Sequence, residues 1–241
     1  KMTELLYFKD CYLKEFEANV ESVEGNKIEL DKTAFYPEAG GQLTDLGEIF
    51  YEGKSIKVTM VRKEGSRVIH ELEKPAEEIG IKQGCTIKAS IDWNRRYTFM
   101  RYHTACHVLS AVITREEPSV DITGNQIALD KTRMDFSLEN FDKEKIKHYE
   151  EEANKEIAKA LPVKIEFLER EEAFKIPGLV KLRKLLPESL KIIRVVTIEG
   201  LDQQACGGTH LRNISEIKGI EITGTENKGK SNRRIYFKLK E

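Results

Sequence analysis

No stretch of this 241-residue chain approaches the roughly 20 consecutive apolar residues of a membrane-spanning helix, and no charged-then-apolar leader opens it. These absences predict a cytoplasmic protein with no membrane partner. Cysteine is scarce. Cys11, Cys85, Cys106 and Cys206 stand far apart, a spacing that argues against a disulfide framework. An excess of one charge is missing too: 40 Lys and Arg face 41 Asp and Glu, for a net charge of −1. Such a chain is not coated with nucleic acid, and a polyanion would meet it only at local basic patches. Internal repeats and low-complexity tracts are also lacking. What is present, 39% hydrophobic and 34% charged residues, is enough for two domains and at least one substantial core.

The pattern changes near Asp92. Before it, short alternating runs separated by glycine turns predict antiparallel strands at Leu5 to Phe8, Phe16 to Val23, Lys27 to Leu30, Leu46 to Tyr51, Ile56 to Lys63, Arg67 to Leu72 and Thr86 to Ile91. Ile56, Val58 and Met60 are expected on one face. Many short strands of this kind suggest a small barrel in residues 1–92. After Asp92 a helix is expected over Arg95 to Arg115, with an apolar stripe at 99, 102, 106, 109, 112 and 113 and Asp92 or Asn94 as N-cap. Paired strands follow in Ile127 to Phe136. Asp142 is expected to cap a second helix reaching Ala160, and Val163 to Leu168 and Ile192 to Ile198 read as strands. Short helices are expected within 171–190, and a closing hairpin joins Ile220 to Thr225 with Arg234 to Leu239. Residues 93–241 thus read as an α/β domain with a mixed sheet, and the whole chain as α+β.

Two clusters hold potential metal ligands: His103-Thr-Ala-Cys-His107 and Cys206-Gly-Gly-Thr-His210. Residues four apart share a helix face, so His103 and His107 could grip one ion from one side. Gly207 and Gly208 free the second segment to turn, so that Cys206 and His210 converge. Three imidazoles and a thiol suit one tetrahedral zinc ion, at about 2.0–2.3 Å per ligand. Position 104 is Thr, so the glutamate base of an HExxH protease is absent.

A further stretch runs from Leu30 to Gly47, with Gly40-Gly41 at its centre. It is not a P-loop, because no Gly-Lys-Ser/Thr follows at the required spacing. The glycine pair permits close backbone approach, to phosphate or to another backbone equally. Taken in order, Asp31-x-Thr33-x-Phe35-Tyr36, Gly40-Gly41-Gln42-x-x-Asp45-x-Gly47, His103-x-x-x-His107 and Cys206-Gly-Gly-Thr-His210 resemble the editing region of alanyl-tRNA synthetases. The chain is similar to their free-standing relatives, the AlaX-type editing proteins of medium length, from about residue 5 to its C-terminus.

The resemblance implies a zinc-dependent deacylase acting on tRNA for alanine mischarged with serine or glycine. It implies one zinc per chain, on His103, His107, Cys206 and His210. Cys106, Thr104 and Gln203 are the candidates near the chemistry. Cys106 reads as a packed wall rather than a nucleophile, and Gln203 or Gln204 as orienting a water or facing solvent. Thr33, Gly40, Gly41, Gln42, Arg133, Lys228, Lys230, Arg233 and Arg234 are candidate substrate or RNA contacts. Arg133 could instead pair with Asp135, and the basic residues, with Arg95 and Arg96, could be solvated charge. The alternative is a non-catalytic, zinc-stapled module that binds tRNA or a synthetase.

Overall fold

The computed structural model describes residues 2–138, 142–179 and 186–241. It is mixed α+β, with a closed six-stranded barrel and, among the described residues, three α-helices. The chain divides into two compact units, Lys1–Phe99 and Met100–Glu241.

In the first unit, β1 (Glu4–Leu5) pairs in parallel with β4 (Lys32–Thr33). The expected strand at Leu5 to Phe8 stops early, because Leu6–Phe8 turns into a 3₁₀ helix. The barrel contains β2 (Glu15–Glu24), β3 (Lys27–Leu30), β5 (Gly47–Tyr51), β6 (Lys54–Glu64), β7 (Arg67–Leu72) and β8 (Thr86–Ile91), in the order β2-β3-β7-β6-β5-β8. Closure leaves none of these strands with an open edge. Strand β2 shows why the sequence folds this way: Phe16, Ala18 and Val20 alternate inward while Glu15, Glu17 and Asn19 face out. The alternation expected for β6 holds only as far as Val58. A bulge between Val58 and Met60 shifts the register, so Val61 enters the core in place of Met60.

Helix α1 (Trp93–Glu116) starts where Asp92 accepts from the Arg95 backbone N–H at 3.1 Å, so Asp92 and not Asn94 is the cap. Its centre is buried from Tyr102 to Ile113 on every side. The expected single stripe is therefore too narrow: Ala105, Ser110 and Ala111 are small enough to be enclosed as well.

In the second unit, β9 (Ile122–Ile127) and β10 (Thr132–Phe136) form a hairpin that begins five residues before the expected pair. They join β14 (Ile220–Asn227) and β15 (Arg233–Leu239) in the order β14-β15-β10-β9. Met134, Phe136, Ile235 and Phe237 form the buried face, where Phe237 meets Tyr102 of α1 at 5.9 Å between rings. A second sheet contains β11 (Val163–Glu169), β12 (Ile192–Ile198) and β13 (Asp202–Ala205). Every described pairing in this unit is antiparallel, which corrects the expected mixed sheet; three of the five are short hairpins, β9 with β10, β12 with β13 and β14 with β15, which only antiparallel strands can form.

Helix α2 (Lys143–Ala158) is capped by Asp142 as expected, with the carboxylate 2.7 Å from the Lys145 backbone nitrogen. Helix α3 (Arg170–Ala173) is one short turn before Pro177. The rest of the helical segment expected up to residue 190 falls partly on residues 180–185, outside the described residues.

Candidate metal centre

The four ligand candidates converge. His103 and His107 lie one turn apart on α1, and Cys206 to His210 is a turn entered from β13. Their donor atoms all lie within 4.8 Å of one another. Cys206 Sγ is 3.2 Å from His210 Nε2 and 3.5 Å from His103 Nε2. Donors on one tetrahedral zinc stand roughly 3.3–3.6 Å apart, given the usual bond lengths. The spacing and the mix of soft sulfur with imidazole therefore fit a single zinc ion.

Several local devices hold this geometry. The Cys206 backbone N–H donates to the Arg194 carbonyl of β12 at 3.2 Å, and the Arg194 guanidinium donates back to the Cys206 carbonyl. The Gly208 N–H points at Cys206 Sγ at 3.4 Å. A Cβ on Gly208 would overlap the His103 imidazole, so close approach requires the glycine. Thr104 Oγ1 lies 3.2 Å from His210 Nδ1 and accepts the Leu211 N–H at 3.1 Å. Thr104 is thus a brace behind His210, turning Nε2 toward the cluster.

His107 Nδ1 lies 2.7 Å from Asp202 Oδ2. A carboxylate only accepts, so Nδ1 carries a proton and Nε2 is the nitrogen that faces the cluster. Sequence reasoning misses Asp202. It lies 95 positions from His107, and no local spacing announces it.

The electrostatics favour a thiolate. Burial raises the Cys206 pKa, but the neighbouring His103 and His210, with hydrogen bonds from His103 and His107, outweigh it and hold the thiol well below its ordinary value. For His107, burial opposes the charge, yet hydrogen bonds to Asp202 and Cys206 push it up to about 10. Burial, with the neighbouring His103, holds His210 well below the ordinary imidazole value. Cys106 is the opposite case to Cys206. Burial, and then the Cys206 charge, push its thiol far up, so it stays protonated and packs as a wall.

Other expectations change. Alternation along β13 turns Gln203 away from His107, where its amide donates to Thr197 at 3.2 Å. Gln204 lies on the opposite face, where its amide donates to Asp202 Oδ1 at 3.0 Å. Thr33 is fully buried, its hydroxyl 2.8 Å from His70 Nε2 and accepting the Phe35 N–H, which leaves no edge for RNA. Gln42 is buried as well, and its backbone exchanges two hydrogen bonds with Ala39. Gly40 and Gly41, at φ +56° and +83°, form the two-residue tip of that small hairpin. An added Cβ at Gly40 meets nothing within 4 Å, so left-handed backbone, rather than close approach, is what requires the glycine.

The basic residues separate into different settings. Arg96 is buried with Asp45, each 0% exposed, and also donates to the Cys11 and Ala34 carbonyls. It has no face for RNA. Arg95 donates to the Thr44 carbonyl at 2.8 Å. Asp135 pairs with Arg234, at 2.6 and 2.9 Å, and not with Arg133. Arg133 is half-buried on β10, opposite Tyr236. Strand β15 begins at Arg233, so the tip of the closing hairpin is Lys228 to Asn232, and Arg234 lies within the strand. Lys228 reaches Glu226 at 3.2 Å, Lys230 is exposed, and Arg233 donates to Asn227 at 2.9 Å.

A helix-borne histidine pair closed by a Cys-Gly-Gly-Thr-His segment defines a class of site that could hold a metal ion, and comparison with known proteins gives it a family. The model of the threonyl and alanyl tRNA synthetase second additional domain matches residues 193–236, and that of class II (A) tRNA synthetases matches residues 6–95. The alanyl-tRNA editing protein AlaX-M of Methanosarcina barkeri is 49% identical over 242 residues, covering 99% of each chain. That of Saccharolobus solfataricus is 42% identical over 241 residues, covering 99% of this chain and all of its own. The alanine–tRNA ligase of Pyrococcus abyssi is 39% identical over 237 residues, which are 26% of the ligase. The chain belongs to the AlaX-M family of alanyl-tRNA editing proteins.

Proposed function

We propose that this chain is a zinc-dependent hydrolase that removes misattached amino acids, mainly serine and in second place glycine, from tRNA for alanine. The observation that carries the reading is the convergence of three imidazole nitrogens and one thiol within 4.8 Å. Relatives aligned from end to end bear the name alanyl-tRNA editing protein, which supports the substrate class. The need for such an enzyme is physical. A pocket built for alanine excludes glycine poorly by size and rejects an added hydroxyl only modestly, so a second site with different chemistry supplies the discrimination.

His103, His107, Cys206 and His210 would hold one zinc per chain. Bound there, zinc supplies a Lewis acid, able to hold the amino or hydroxyl group of the amino acid or to polarise a water. The chain itself turns three Nε2 atoms inward, keeps Cys206 as thiolate and walls the site with the inert Cys106. Residues 93–241 form the deacylase domain in this reading. Residues 1–92 form the barrel domain, with Gly40 and Gly41 as substrate contacts. Arg133, Lys228, Lys230 and Arg233 are the RNA contacts that the described geometry supports best. No described helix is long and apolar enough to cross a membrane, and the proposed substrate lies in the cytoplasm.

The test is deacylation of Ser-, Gly- and Ala-charged tRNA for alanine by zinc-loaded protein, beside Cys206→Ala. Hydrolysis of the serine ester with the alanine ester spared, and loss of both zinc and activity in Cys206→Ala, are expected. A zinc-loaded protein that leaves Ser-tRNA intact would sink the proposal.

A further inference from the structure

Asp202 and Gln204, two apart on β13, lie on the same side of the strand and close a hydrogen-bonded ring with helix α1. Asp202 Oδ2 accepts from His107 Nδ1 at 2.7 Å, and Asp202 Oδ1 accepts from Gln204 Nε2 at 3.0 Å. The same amide nitrogen lies 3.5 Å from Ser110 Oγ, and that hydroxyl donates to the His107 carbonyl at 3.0 Å. The ring therefore begins and ends on one histidine.

We propose that Asp202 and Gln204 are positioning residues for the donor cluster. Asp202 keeps the proton on His107 Nδ1 and so leaves Nε2 to meet the ion; Gln204 holds the carboxylate in the rotamer that does so. The inference rests on the zinc reading above.

An imidazole has two nitrogens, and the one that ligates is set by the bond the other makes. Without Asp202, the His107 ring is free to rotate or to keep its proton on Nε2, and either would misdirect the lone pair. A carboxylate attached by one oxygen can also swing. Here both oxygens are engaged, and the side chain is only 10% exposed, so little water can take the place of either partner. Strand β13 contributes this ring just before the chain turns to Cys206. The segment that delivers the thiol thus also sets the orientation of a ligand on the helix.

The test compares the wild type with Asp202→Ala, Asp202→Asn and Gln204→Ala by zinc competition against a chromophoric chelator. Proton–nitrogen NMR of ¹⁵N-histidine-labelled protein supplies a second readout, the His107 Nδ1–H signal with and without zinc. Loss of an outer-shell partner typically costs 10–100-fold in metal affinity. Asp202→Ala is expected to weaken zinc binding by about that factor and to lose the protected Nδ1–H signal. Gln204→Ala should do the same by a smaller factor, and Asp202→Asn, which keeps an acceptor oxygen, should recover part of the loss.

Unchanged affinity and an unchanged Nδ1–H signal in Asp202→Ala would overturn the inference. If that variant does not fold, the same result in both Gln204→Ala and Asp202→Asn would overturn it. A wild type that binds no zinc overturns the zinc reading instead, while the Nδ1–H signal still judges the ring.

Discussion

At the residue scale, the sequence reveals donors but not their supports. The histidines and cysteines of the cluster are legible because they sit in short repeated spacings. Asp202, Thr104 as a brace and His70 are not, because their roles arise from contacts between distant segments. Gly208 is the clearest single-atom demand. Gly208→Ala should lower zinc affinity at least tenfold, since a methyl group displaces His103, and it should leave the far-UV spectrum intact. Zinc competition on the folded variant checks this, and wild-type affinity would contradict it. His70 yields a pH prediction. Its ring lies between Thr33 and the Ile28 carbonyl, and burial lowers its pKa to about 4 from 6.5. Below pH 6.5 the unfolded chain binds a proton that the folded chain refuses, so stability falls on acidification. The loss should reach about 3 kcal/mol by pH 4, because each tenfold drop in proton affinity is worth ~1.4 kcal/mol. Urea midpoints between pH 7 and 4 should show the decline, and His70→Asn should flatten it.

At the scale of elements, alternation made most barrel strands readable, and N-caps made the helix starts readable. What escaped were departures from period. The bulge that trades Met60 for Val61 inserts one residue, and nothing in Val58-Thr-Met60-Val61 marks where. Strand β13 escaped because Asp202-Gln-Gln-Ala205 is too polar to look like a strand, and its polarity is explained by the ring it builds. The glycine stretch is a small framework of its own. Tyr36 donates its backbone N–H to Asp45 at 2.7 Å, and Asp45 in turn holds Arg96. Arg96→Leu leaves a buried carboxylate unpaired and should destabilise the protein by about 3–5 kcal/mol, read from the denaturant midpoint. Gly40→Ala meets open space and should cost only about 1–2 kcal/mol, the penalty of a left-handed backbone. A larger loss at Gly40 than at Arg96 would reverse this reading of the stretch.

At the scale of the whole molecule, a net charge of −1 leaves little long-range attraction for a polyanion. Binding of tRNA should then depend on few contacts. Neutralising Lys228, Lys230 and Arg233 together should weaken binding and make the salt dependence shallower, the log–log slope falling by about one for each phosphate left without its cation. Zinc content should not change. An unchanged slope would leave the closing hairpin as solvated charge and send the RNA elsewhere.

The ligand cluster joins residues 103 positions apart. A ribosome delivers them in that order, and chains generally fold from the N-terminal end during synthesis. The barrel strands are all present by Ile91, and the histidine pair follows soon after. The thiol and third imidazole arrive only when translation has passed residue 205. Until then the nascent chain has two of the cluster's three imidazoles and no four-donor site. A polypeptide released early therefore lacks the four-donor cluster, and an assembled cluster certifies that its own synthesis has reached His210.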